Sequence, residues 1–198
     1  KNFLVSLEAR IFSPSTPTGY SGVDISGKAD KAYKIASRIT PSQKVYYFDS
    51  RAKNTGPLPP RVGEETTYLV VWSLSNTLND LDNVQVRSFL PSYIAWKGVV
   101  IPENSPVAYT STTGEIVWNI GTLEAGVGSI RPVKEVAFRI GFVPSPPQIG
   151  KRPQLVAPAT LEARDTFTST LIKEVSKEVT TDMRDDPHAS RFGGDVQE

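Results

Sequence analysis

Residues Thr66 to Asn76 read TTYLVVWSLSN. Successive side chains on a strand point to opposite faces, so Tyr68, Val70, Trp72 and Leu74 form one apolar face of period two. Leu69 and Val71 point the other way. A strand apolar on both sides has to be covered twice, and what supplies the second cover bears directly on function. The pair Leu69 and Val71 is therefore a candidate interface.

The same alternation recurs along most of the chain. Phe3, Val5, Leu7, Ala9 and Ile11 alternate with Leu4, Ser6, Glu8 and Arg10, and the run ends at the turn-forming SPSTPTGYSG, Ser13 to Gly22. A second run, Tyr33, Ile35, Ser37 and Ile39, is expected to stop at Pro41, which has no N–H to continue a ladder. Further strands are expected over Val45 to Asp49, Asn83 to Phe89, Tyr93 to Trp96, Gly114 to Ile120, Pro132 to Phe142, Ala159 to Ser169 and Leu171 to Thr180. Thr170 to Val179 could also carry a short helix, because Leu171, Val175 and Val179 lie four apart, but its β-branched residues and threonine-rich flanks favour a strand.

Sixteen prolines and fourteen glycines fall between these short runs, and no amphipathic stretch of a dozen residues offers a crossover helix. The expected class is all-β, with antiparallel sheets stacked as a sandwich. Its core should contain Tyr68, Val70, Trp72, Val84, Val86, Ile116, Trp118, Ile120, Val136, Phe138, Ile140 and Phe142. Trp72 and Trp118 are in phase with that core. Trp96, with Tyr93 beside it, is the aromatic pair left as a candidate binding surface.

Charge and composition exclude several function classes. Twenty-two basic and 21 acidic residues give a formal net charge of +1, mixed along 198 residues, so no field gathers nucleic acid or an anionic membrane. No apolar run approaches the ~20 residues that span a bilayer. With no cysteine there is no disulfide, thiolate metal site or cysteine nucleophile. The one histidine, His188, lies in the polar segment RDDPHASRFGGDVQE, which reads as a linker where no base is held against a nucleophile. GTLEAGVG, Gly121 to Gly128, lacks the lysine and helix of a phosphate loop. Apart from calcium, no cofactor is implied. Two acidic clusters could gather oxygen ligands for that ion: Asp80 and Asp82 with Asn79 and Asn83, and Asp182 with Asp185 and Asp186. The first is more simply a turn capped by its own side chains.

GPLPPRVGEETTYLVVWSLSN, then DNVQVRSFLPSYIAWKG, then GEIVWNIGTLEAG resembles the conserved repeat domain of bacterial cell-surface proteins. The landmarks are Gly63, Tyr68, Asn76, Asn83, Val84, Val86, Leu90, Pro91, Trp118, Ile120, Gly121, Leu123 and Gly126, and the resemblance covers about Val45 to Asp186. The chain departs from the pattern around Arg87 to Tyr93, where an acidic residue and a Leu-Pro-x-Gly turn are usual, and at Leu69 and Val71, where threonines are.

The resemblance implies an immunoglobulin-like, non-enzymatic, extracellular or cell-surface module with a structural or adhesive role. Its partners would be neighbouring modules or subunits of the same surface protein. A glycan- or host-protein-recognition domain and a filament subunit assembled by strand exchange are the alternatives. It also implies a division into 1–43, the last strands of a preceding module, 44–183, the sandwich, and 184–198, a polar linker. VDISGKADKAYKI, Val23 to Ile35, is similar to ATLEARDTFTSTLI, Ala159 to Ile172, as two module ends would be. The early hairpin cannot bury its own face. It is expected to find partners in a longer protein or to dock on Leu69 and Val71. Some bacterial surface sandwiches form an intramolecular lysine-asparagine bond, which would suit a chain without cysteine.

Overall fold

A computed structural model describes all of the chain except residues 13, 14, 16, 17 and 20–25. Most of the loop expected over Ser13 to Gly22, and the start of the segment similar to Ala159 to Ile172, lie outside the described residues. The strands are β1 (Leu4–Ile11), β2 (Gly27–Lys34), β3 (Ile39–Tyr46), β4 (Phe48–Asp49), β5 (Ala52–Lys53), β6 (Thr66–Asn76), β7 (Leu81–Phe89), β8 (Ile94–Ile101), β9 (Val107–Thr110), β10 (Glu115–Leu123), β11 (Lys134–Phe142), β12 (Gln154–Val156), β13 (Thr160–Asp165), β14 (Leu171–Val175) and β15 (Val179–Thr180). The helical segments are single 3-10 turns at Pro146–Gln148 and Ser190–Phe192, and no helix among the described residues is long and apolar enough to cross a membrane.

Two antiparallel sheets stack face to face, ordered β3-β6-β11-β8 and β14-β13-β7-β10-β9. The first follows the A-B-E-D order of an immunoglobulin sandwich and β14-β13-β7 follows G-F-C, with the β9–β10 hairpin added beside β7. All the side chains expected in the core are there, Ile120 only half-buried and the others fully. Trp72 meets Phe138 edge-on at 5.1 Å between ring centroids. Gly114 is required where β10 begins: its φ is +71°, and a Cβ would stand 2.7 Å from the Leu90 carbonyl oxygen.

The second run of the sequence is divided differently from the expectation. Tyr33 ends one strand and Ile39 begins another, and Pro41 lies inside β3. Among the described residues β3 pairs only with β6, along Ile39↔Asn76 to Tyr46↔Leu69, so it is an edge strand where a missing N–H can face outward. The expected boundary at 43 and 44 therefore falls within a strand of the sandwich. Nor is 184–198 laid out as a free linker. Ala189 and Val196 are buried in the main core, and the chain threads between two loops, with Val62 N donating to Gln197 O at 3.1 Å and Gly150 N to Val196 O at 2.9 Å. Two apolar side chains and backbone pairing hold it, which leaves no periodicity to read.

The outward face of β6 is covered by the chain itself. Leu69 and Val71 are buried with Ala137 and with Ala52 on the small β4–β5 hairpin, while Tyr46 and Ile101 flank them half-buried. Arg51, at the tip of that hairpin, grips Asp49 through Nε at 2.9 Å and Nη2 at 2.7 Å, and lies 3.5 Å from Glu135 on β11. The expected docking of the N-terminal hairpin on Leu69 and Val71 does not occur. A closer segment, 48–53, occupies the place.

At the open side of the sandwich Gln43 ties the sheets together. It accepts from Trp72 Nε1 at 2.6 Å and donates to Ala157 O at 3.0 Å and Lys177 O at 3.1 Å. Replacing it strands a buried indole N–H and takes one of two donors from each carbonyl, leaving Ser88 Oγ on Ala157 O and Ser176 Oγ on Lys177 O. Gln43→Leu is expected to lower unfolding free energy by about 2 to 3 kcal/mol, read from urea denaturation followed by tryptophan fluorescence.

Candidate functional site

β1 and β2 form a ribbon of their own, in register from Leu4↔Lys34 to Ile11↔Gly27, and every residue of both strands is exposed. Its two faces differ. One carries Val5, Leu7, Ala9 and Ile11 opposite Tyr33, Lys31, Ala29 and Gly27. The other carries Leu4, Ser6, Glu8 and Arg10 opposite Lys34, Ala32, Asp30 and Lys28, laced by ion pairs of Glu8 with Arg10 and, at 3.0 Å, with Lys28. Exposed pairs of this kind contribute little stability, so the polar face is at home in water. The apolar face is not, and Leu7 keeps 57% of its surface open.

The root of the ribbon is fixed by buried polar groups. Asn79, fully buried in the loop before β7, accepts from Asn2 N at 3.0 Å and donates to Ile35 O at 2.8 Å, holding both ribbon strands where they leave the body. The same amide donates to Asp165 Oδ2 at 2.8 Å, and that oxygen also accepts from Ser37 N at 2.6 Å. Asp165 Oδ1 accepts from Phe167 N and Thr168 N, each at 2.9 Å. Ser37 Oγ completes the knot, donating to Asn76 Oδ1 at 2.6 Å and accepting from Leu78 N at 2.9 Å. Outside it, Lys1 pairs with Asp80, and Lys34 donates to Phe167 O at 2.9 Å while lying 4.7 Å above the Phe167 ring.

These contacts set the charge of Asp165. Burial pushes its carboxyl up, but the Asn79 amide and the N–H groups of Ser37, Thr168 and Phe167 together outweigh burial and hold it below the usual 3.8. A carboxyl lowered on folding adds stability that is complete above its unfolded value and fades as pH falls through the lower folded one. Asp165→Asn is expected to cost about 1 to 3 kcal/mol at neutral pH. The gap between variant and wild type should close as urea titrations move below the ordinary aspartate range, and a gap independent of pH would refute the assignment.

The other site residues expected from sequence are dispersed. Asp182 binds Arg152 at 2.8 Å and pairs with Arg184; Asp185 lies 4.0 Å from Lys44. Asp186 turns inward, its Oδ2 accepting from Tyr47 N and Phe48 N and its Oδ1 from His188 N and Ala189 N, at 2.8 to 3.0 Å. The oxygens of Asp182 and Asp186 are engaged by arginines and backbone donors, and among the described residues no three His, Cys, Asp or Glu side chains form a metal-binding group. Asn79 and Asp80 serve the ribbon root. Trp96 stacks on Tyr109 at 5.1 Å and 15° and also meets Phe138 at 5.2 Å, while Tyr93 donates its hydroxyl to Gln154 O at 2.9 Å. Both rings belong to the edge of the sandwich packing.

Sequence reasoning missed Asn79, Asp165 and Ser37 as a joint anchor, because they come together across 128 residues of chain separation between Ser37 and Asp165. No described lysine is buried and Lys44 alone is half-buried, so no lysine lies beside an asparagine in the core. The intact mass is expected to equal that of the sequence, with no ammonia lost. A deficit of one ammonia would show a lysine-asparagine bond.

No protein-family model matches the chain, and no curated protein matches it. Among solved structures it is similar to BcpA, the major pilin subunit of Bacillus cereus, at 13% identity and TM-score 0.42, covering 89% of this chain and 55% of that one. It is similar to the full-length major pilin SpaD from Corynebacterium diphtheriae at 14% identity and TM-score 0.42, covering 72% and 34%. A GH20 exo-β-N-acetylglucosaminidase from Vibrio harveyi is also similar, at 8% identity and TM-score 0.34, covering 72% and 18%. The chain thus spans about half or less of the length of these structures. At these TM-scores the likeness carries no argument about activity.

Proposed function

We propose that the chain is a non-catalytic structural or adhesive module of a bacterial cell-surface or extracellular protein, joined to neighbouring modules or subunits through its β1–β2 ribbon. One observation carries this reading: an exposed apolar ribbon face is held out from the body by a buried polar anchor. An isolated two-stranded ribbon is marginal in water. A rigid root removes part of the ordering cost before a partner arrives, which favours association. The resemblance stated from sequence supplies the surface setting. Neighbours belonging to one long protein and separate subunits of a filament would use the same ribbon.

The reading has a direct test. Leu7→Lys places a second charge on the apolar face, opposite Lys31, without touching the anchor or core, so the melting temperature should stay as in wild type. Wild type should associate in a sedimentation-velocity concentration series and bind the dye ANS, and the variant should lose both. Monomeric wild type with no more dye binding than the variant would sink the joining role.

A further inference from the structure

A second feature lies at the other end of β3, about 23 Å from the ribbon root for seven residue steps of a strand. There the β4–β5 hairpin and the C-terminal segment enclose an open-mouthed pocket of about 660 Å³, lined in part by Tyr47, Phe48, Ser50, Lys53, Asn54 and His188. Its walls are aromatic. Phe48 meets Tyr47 edge-on at 4.9 Å and His188 edge-on at 6.2 Å, yet keeps 44% of its surface exposed. Its backbone is fixed, because the Asp186 carboxylate accepts from Tyr47 N, Phe48 N and His188 N together. One buried side chain thus sets the backbone of both aromatic walls.

The polar groups of the pocket narrow the chemistry of a ligand. Asp49 at the rim is paired with Arg51, which holds its carboxyl below the usual range, and Asp186 is satisfied by backbone donors. Neither offers a free negative charge to a cationic ligand. Asn54 donates through Nδ2 to Tyr46 O at 3.2 Å and Tyr47 O at 2.9 Å, while its Oδ1 has no hydrogen-bond partner, although the residue keeps only 6% exposure. That oxygen is closed off from the open space of the pocket, so Asn54 shapes the wall without contacting a ligand. Lys53 and Ser50 add donors at the mouth. Aromatic walls beside hydroxyl and ammonium donors match a polyhydroxylated ring, whose C–H face packs on an arene while its oxygens accept hydrogen bonds.

We infer that this pocket is a saccharide-binding site for a hexopyranose, with Phe48 as the stacking wall and Ser50 and Lys53 as polar contacts. The site is separate from the ribbon, so it stands or falls independently of the joining role. The test is amide chemical-shift mapping on the whole chain with methyl glycosides of glucose, galactose and N-acetylglucosamine, and with choline as a cationic probe. At least one glycoside is expected to shift amides within 47–54 and 186–192. Phe48→Ala should weaken that binding about tenfold, the scale of one lost aromatic contact. Ser50→Trp should abolish it by filling the mouth from an exposed turn, leaving the melting temperature unchanged. Absence of shifts with every glycoside, shifts confined to other regions, binding of choline alone, or unchanged affinity in a folded Ser50→Trp variant would each overturn the assignment.

Discussion

The central constraint is that β6 is apolar on both faces. One face enters the sandwich, where Tyr68, Val70, Trp72 and Leu74 pack between the sheets. The other needs a lid, and the chain makes it from its own residues 48–53, with Ala52 against Leu69 and Val71. Burial of large aliphatic side chains supplies roughly 1.5 to 3 kcal/mol each, one part of what holds the six-residue hairpin in place beside the Arg51 pairs and the Asp186 hydrogen bonds. That requirement fixes the chain path after β3. The path in turn places Phe48 and Asn54 beside the C-terminal segment and brings Asp186 under Tyr47.

Buried polar groups then determine where the non-sandwich segments lie. Asp165 and Asn79 serve the ribbon at one end of β3, and Asp186 serves the lid and the C-terminal segment at the other. Each carboxylate is fully buried and surrounded by donors, an arrangement that costs heavily when any partner is lost. Apolar contacts tolerate sliding, whereas hydrogen bonds from N–H groups to a carboxylate impose direction. The ribbon and the lid are therefore positioned by directional bonds, and the sandwich by packing.

The sandwich was legible in the sequence because alternation acts locally: Val136, Phe138, Ile140 and Phe142 announce their face within one strand. The competition over Leu171 to Val175 was resolved by propensity, and a strand formed. What stayed hidden depends on pairing at a distance. Pro41 reads as a strand terminator until β3 is known to be an edge. Residues 184–198 read as a linker because Ala189 and Val196 are few and widely spaced, while much of their anchorage is backbone pairing that any sequence can supply. Asp182, Asp185 and Asp186 look like one acidic cluster in one dimension, yet their partners lie in different directions.

Pro41 also has a consequence for how copies of this molecule can meet. A bare sheet margin is a template on which a foreign strand can crystallise into a continuous ladder. At β3 that template is interrupted by a residue with no hydrogen to give, so sideways zippering of one sandwich onto the next is broken at that point. The ribbon has no proline along either strand, so its own margins stay open as templates, as do those of β8, β9 and β14.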